Sequence, residues 1–181
     1  MSEKRKKRPP PGVLVGAIGD EADRTVTEED LKSSVTEHAA ERARAIRDKY
    51  GPDIDYPTLL EMLKDRECVR YPISIQFDSS RIDPGMFGFS EGVFEEPEQP
   101  EYEDADFADY VKVAAEYKIV VHEAFKDRLD VLPALVLYHL VAVNYADLAT
   151  AADAEVFGSM VLGMDQDDYY ALLCEAVDSL D

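Results

Sequence analysis

Between Val131 and Val143 only Tyr138 and His139 carry a polar side-chain group. A run of that length exceeds a usual strand, so it predicts a helix, and a helix apolar on every face has to lie inside the molecule. Asp130 stands where an N-cap would, and Pro133 is tolerated in the first turn. Other segments have two faces. VRYPISIQF (69–77) sets Val69, Tyr71, Ile73, Ile75 and Phe77 on one side against Arg70, Ser74 and Gln76 on the other, which predicts a half-buried strand. Pro72 places that strand at a sheet edge or near its own start, because proline brings no N–H to a ladder. Beyond a turn at 83–85, MFGFSEGVF predicts a second strand, weakened by Gly88 and Gly92. The β-branched residues within 117–122 predict a third.

The remaining helices are marked by their ends. TEEDLKSSVTEHAAERARAIRDKYGP has Thr27 as N-cap, Asp30 as its capping-box partner and Gly51-Pro52 as stop. Its acids Glu28, Glu29 and Asp30 sit at the positive end, and Arg42, Arg44, Arg47 and Lys49 towards the negative end. The apolar stripe Leu31, Val35, Ala39, Ile46 and Tyr50 is narrow, so this helix lies on the surface. A short helix starts at Pro57 behind Asp55 and runs to Arg66. Two capped helices finish the chain, one begun by Thr150 and Asp153, the other by Asp165 and Asp168. The last turns Tyr169, Leu172, Leu173, Ala176 and Leu180 inward. The predicted class is α+β: a small mixed or antiparallel sheet of about three to four strands against a buried central helix, with additional N- and C-terminal helices.

Composition narrows the functional classes. A chain of 181 residues with 46% hydrophobic content suits one domain with a real core. There are 19 basic and 39 acidic residues, a net charge of −20. Residues 1–11, MSEKRKKRPPP, hold five of the bases and one acid, so the rest carries 14 bases against 38 acids. We read 1–11 as a disordered basic, proline-rich tail and 12–181 as a single acidic domain. GVLVGAIGD (12–20) is a short β-prone run whose glycines match no phosphate-binding loop. Residues 91–109 hold nine acids, no base, and Pro97 and Pro100, which predicts a solvated acidic loop without the spacing of a calcium loop. So acidic a body argues against nucleic-acid binding, since phosphate contacts need Lys and Arg on the contacting face. A basic protein partner, or solubility alone, suits it better. No apolar run reaches membrane length and no signal peptide opens the chain, so a cytoplasmic protein without membrane contact is expected, or a nuclear one if a eukaryotic host reads KRKKR as an import address. Cys68 and Cys174 lack CxxC spacing and are expected as buried thiols. Oligomeric state leaves no signal in the sequence.

The chemistry turns on His139. Residues 69–162 run strand, glycine-containing strand, strand YKIVVHEAF, buried helix with a central histidine, and a helix opening TAADAEVFG. That order resembles the core of small zincin-like metallopeptidases, in which an edge strand precedes a buried helix bearing HExxH and a third zinc ligand lies downstream. The resemblance covers about half the chain. It implies that His139 falls on the first ligand, Leu140 on the catalytic glutamate and Val143 on the second histidine, with Asp153 or Glu155 nearest the downstream position. Zinc catalysis needs three protein ligands and a base beside the metal-bound water, so two aliphatic residues at those places imply a lost peptidase site. The His122–Glu123 pair fails the same motif, with Lys126 four residues after His122.

His122 at a strand end can still face His139 across the core. His122, His139, Asp153 and Glu155 are therefore the candidate metal ligands, with zinc as the alternative to no cofactor. The plain reading of His139 is a core histidine satisfied by Tyr138, Asn144 or a backbone carbonyl. No GxSxG elbow or catalytic-thiol signature is present. The leading expectation is a non-catalytic acidic domain, a metallopeptidase-like fold without its zinc, acting through protein–protein contacts. Two alternatives stand beside it: a metal-dependent hydrolase with an atypical ligand set, and an acidic adaptor or nucleic-acid mimic that binds a basic partner.

Overall fold

A computed structural model of the chain describes residues 27–94 and 114–180. The basic tail, the β-prone run at 12–20 and the acidic segment from residue 95 lie outside the described residues. Helix α1 (Glu28–Tyr50) begins on the capping box read from the sequence: Asp30 N–H donates to Thr27 Oγ1 at 3.1 Å, and Thr27 N–H donates to Asp30 Oδ2 at 3.0 Å. It ends at Gly51, whose φ of +76° favours glycine. Helix α2 (Tyr56–Met62) is capped by Asp55, which accepts from Thr58 N–H at 2.9 Å, and it stops short of the expected Arg66. Three strands follow, β1 (Ile73–Phe77), β2 (Gly88–Val93) and β3 (Glu116–Val121), then α3 (Leu132–Tyr145), α4 (Ala151–Leu162) and α5 (Gln166–Asp178).

The fold is α+β with a mixed sheet in the order β1-β3-β2. Strand β1 runs parallel to β3, with Ile75 opposite Ile119, and β2 runs antiparallel, with Gly88 opposite Val121. β1 starts directly after Pro72 on the sheet edge, as proline's missing donor requires. β3, the strand before α3, is paired on both sides, where the metallopeptidase resemblance implied an edge strand. Its Ile119, Val120 and Val121 are fully buried, so the last half of β3 is enclosed on both faces. The start of the expected acidic loop is instead strand: Glu91 lies in β2 and takes two hydrogen bonds from the Arg81 guanidinium, at 2.9 and 3.0 Å.

α3 is the centre of the core, with eleven of its fourteen residues buried. Leu132, Leu135, Leu137 and Leu140 are fully enclosed, each worth about 2 kcal/mol of transfer free energy. Asp130 does not cap it; Val131 occupies that position, no side chain bonds the first turn, and Asp130 accepts from Arg128 Nε at 3.4 Å. The sheet covers α3 through β2 and β3, α4 covers it from another side, and α1 lies on α4. Ala43, absent from the expected stripe, is fully buried on α1, whereas Leu31 at the head of that stripe is exposed. Among the described residues no helix is long and apolar enough to cross a membrane.

A polar tie joins α5 to the centre. Tyr169, fully buried, donates its hydroxyl hydrogen to the Ala134 carbonyl of α3 at 2.7 Å. The phenol reaches that carbonyl by lying across Gly158 of α4, where a Cβ would overlap the Tyr169 ring. Gly158→Ala is expected to lower stability by about 1–3 kcal/mol through overpacking. Tyr169→Phe is expected to cost about 1 kcal/mol for the lost hydrogen bond. In a Tyr169→Leu background the Gly158→Ala penalty should shrink, because the overlapping ring is gone. Urea unfolding midpoints of the parent, the three single variants and the Gly158→Ala/Tyr169→Leu double variant measure all three effects.

Candidate functional site

His139 lies mid-way along α3 and faces β2, where Gly88 has no side chain to exclude it; a Cβ at Gly88 would stand 3.3 Å from His139 Nε2. The Phe87 and Tyr138 rings flank the imidazole at centroid distances of 5.2 and 5.5 Å. Nε2 is buried and has no hydrogen-bond partner among the described residues. Burial alone pulls the His139 pKa down to about 4, so the ring is neutral at pH 7. Asn144, one of the partners expected for it, is engaged elsewhere: its Oδ1 accepts from Arg70 N–H at 3.0 Å. Leu140 and Val143, at the places of the catalytic glutamate and second histidine, are core residues.

The other three candidate ligands are held apart by local structure. His122 caps a single 3-10 turn, Glu123–Phe125, accepting from Ala124 N–H at Nδ1 over 3.2 Å. Asp153 closes the α4 capping box with Thr150 and accepts from Thr36 Oγ1 of α1 at 2.7 Å. Burial works to raise its pKa, but the hydrogen bonds from Thr150 and Thr36 prevail and hold the carboxylate below its ordinary value. Glu155 of α4 accepts from Gln166 Nε2 of α5 at 3.3 Å. Among the described residues no three His, Cys, Asp or Glu side chains gather as metal ligands. One imidazole nitrogen enclosed by aromatic and aliphatic side chains does not fit a zinc ion, which takes three or four protein donors.

Glu155 belongs instead to a groove of about 290 Å³ between the β1–β2 connection and α5. Phe87, Leu173 and Val177 form its apolar floor, Tyr138 one wall, and Glu155 and Asp178 its acidic edge. Tyr170, 54% exposed, stands at the mouth, and Met86, 42% exposed, adjoins the floor in sequence. Burial and the Glu155 charge both hold the Tyr138 hydroxyl above the usual phenol range. Cys174 lines this groove half-buried, in contrast to the enclosed thiol expected of it. Cys68 is enclosed, and burial, helped by the Asp65 carboxylate, pushes its thiol up to about 12, too high to supply a thiolate. The groove was not legible in the sequence: α5 meets the β1–β2 connection across a gap of eighty residues or more, and no local pattern records such a meeting.

The buried imidazole sets a pH dependence of known sign. A native pKa near 4 against an unfolded value near 6.5 means the unfolded chain takes up the proton first, so stability is whole above pH 6.5 and falls as pH drops towards 4. Between pH 7 and pH 5 this amounts to about 2 kcal/mol. His139→Leu should remove that component, so the stability difference between variant and parent should grow by this amount on going from pH 7 to pH 5. Urea melts of both proteins at the two pH values check it; parallel shifts would contradict it.

No protein-family model, curated protein or solved structure matches this chain, so the chemistry of its site rests on these residues alone.

Proposed function

We propose that this chain is a non-catalytic binding domain, an acidic α+β scaffold that holds a basic segment of a protein partner in the groove between the β1–β2 connection and α5. The observation that carries the reading is the groove itself, an apolar floor of Phe87, Leu173 and Val177 beside the carboxylates of Glu155 and Asp178, in a chain of net charge −20. An aliphatic or aromatic anchor on the partner would leave water against that floor, worth about 2 kcal/mol for a leucine-sized group. Lysine or arginine beside the anchor would meet the acidic edge. Exposed pairs of that kind contribute about 0–1 kcal/mol each, so the anchor sets affinity while the charge steers encounter.

Two of the polar groups that a hydrolase would use have structural duties. Asp153 ties α1 to α4, and His122 caps a turn. The likeness to zincin-like metallopeptidases enters as part of the same proposal: the helix that carries zinc ligands in those enzymes here carries Leu140 and Val143 and serves as core. A hydrolase with an unusual ligand set is the competing reading, and metal content separates the two.

Fluorescence anisotropy with short Lys/Arg-rich peptides, each holding one Leu or Phe, tests the proposal on the full chain. Binding is expected at about 0.05 M salt and should weaken steeply towards about 0.3 M. Asp178→Lys and Glu155→Lys should each weaken it further, and Tyr170→Ala should slow it least at low salt and weaken it at every salt. Binding that ignores both charge reversals would overturn the groove assignment. Near-stoichiometric zinc in the purified protein, lost on His139→Ala, would overturn the non-catalytic reading in favour of the hydrolase.

A further inference from the structure

A second concavity, of about 570 Å³, is lined by His38 and Arg42 of α1, Arg66 and Arg70 of the α2–β1 connection, and Asn144 and Tyr145 at the end of α3. Three guanidiniums line one hollow in a chain whose acids outnumber its bases 39 to 19. Several other cations of this protein find carboxylates. Lys49 bridges Asp65 and Glu67 at 2.6 and 2.7 Å, Lys32 pairs with Glu28 at 2.7 Å, and Arg81 grips Glu91. Among the described residues, Arg42, Arg66 and Arg70 have no carboxylate within ion-pair distance. Arg42 donates to the Glu67 carbonyl, and Arg66 Nη1 donates to the Arg70 carbonyl at 3.1 Å. The Arg70 guanidinium lies over the Tyr71 ring, 5.4 Å from its centroid, an arrangement that leaves its N–H edges open. A guanidinium has five N–H donors, so most of the fifteen are uncommitted.

The walls are fixed rather than incidental. Buried Asn144 holds the Arg70 backbone through Oδ1 and reaches the Cys68 carbonyl at 3.5 Å, which sets the α2–β1 connection against α3. The Tyr145 hydroxyl and His38 Nδ1 lie 2.9 Å apart, joining α3 to α1 across the floor. Immediately after Tyr145, Ala146 takes φ +51° and ψ −138°, and among the described residues it alone combines a side chain with a positive φ. Strain of this kind persists where the surroundings over-determine a position, and it gathers at ligand sites.

We propose that this hollow is a binding site for a phosphate dianion, either free or carried by a small molecule. The charge at the site decides the sign of what it holds. The end of α3 offers roughly half a negative charge to the hollow, against three full positive ones. The acidic excess of the rest of the chain is screened beyond about 8 Å at physiological salt, so the guanidiniums govern the local potential. A lone carboxylate would occupy one fork of one arginine; a tetrahedral dianion presents enough oxygens for several forks at once. The volume falls within the range of small-molecule pockets and leaves room beyond a phosphate group beside the Tyr145 and His38 rings.

Titration calorimetry of the full chain with inorganic phosphate, a sugar phosphate and a nucleoside diphosphate, with sulfate as comparator, tests the site. At least one phosphate probe should bind with a dissociation constant below about 1 mM. Arg66→Gln and Arg70→Gln, both at exposed positions, should each weaken it by about tenfold while leaving the urea midpoint unchanged. Backbone amide shifts on binding should centre on residues 38–42, 66–70 and 144–146. Organic phosphates tighter than inorganic phosphate would identify the ligand as a phosphorylated small molecule; equal affinity would identify free phosphate. No binding by about 10 mM, affinity unmoved by either arginine substitution, or sulfate bound as tightly as every phosphate would each overturn the proposal. Asp178→Lys, which disables the protein-binding groove, should leave phosphate affinity as it is, so the two sites stand or fall separately.

Discussion

The structure depends on having to enclose α3 on every side. A fourteen-residue helix with eleven buried positions has no face to give to water, so the other elements are arranged as its cover. β2 and β3 take one side and α4 another, while α5 and α2 close what remains, and α1 seals α4 from outside. Enclosure at this density requires close approaches that a side chain would block. Gly88 admits the His139 ring against β2, and Gly158 lets Tyr169 cross α4 to reach α3. The two polar residues in the middle of the helix meet this enclosure differently. Tyr138 keeps its hydroxyl at the groove, whereas His139 is held neutral by desolvation with Nε2 unpartnered.

Around this core the charges sort into two populations. The paired ones hold segments in place more than they stabilise the fold, since exposed ion pairs contribute little. Asp65 is the clearest example. It accepts from Lys49, the Tyr50 hydroxyl, Glu67 N–H and the Cys68 thiol, and the Lys49 hydrogen bond is the main reason its carboxyl is held far below the ordinary value. The end of α1 is thereby tied to the segment that carries Arg66 and Arg70. Those two arginines and Arg42 belong to the second population, and they line one hollow where no carboxylate of the described residues pairs with them.

α3 links both surfaces. Tyr138 walls the groove and Tyr145 the arginine-lined hollow, about 10 Å apart along the helix axis at 1.5 Å per residue. A rigid, enclosed helix holds such positions without the mobility of a loop, and this is why a core element with almost no polar side chains can still shape two binding surfaces. Its own histidine serves neither, because the ring lies beneath Phe87 rather than in the groove.

The sequence by itself determined what depends on near neighbours. Capping boxes at Thr27 and Thr150, the proline-bounded start of β1, the alternation of Ile73, Ile75 and Phe77, and the all-round apolarity of α3 each involve residues within a turn or a strand of one another. Those signals were enough to give the α+β class. The candidate ligands fared differently: the sequence offered His122, His139, Asp153 and Glu155 as one site, whereas the tertiary structure gives His122, Asp153 and Glu155 separate hydrogen-bond partners and encloses His139 with Nε2 unpartnered. Likewise, nothing in the spacing of Arg42, Arg66 and Arg70 foretells a common hollow, nor does anything local bring Phe87 to Leu173. Hydrogen bonds that cap and hydrophobic periods that fold are short-range and written consecutively, whereas which distant side chains meet is fixed only when α3 is enclosed and its covering elements have nowhere else to go.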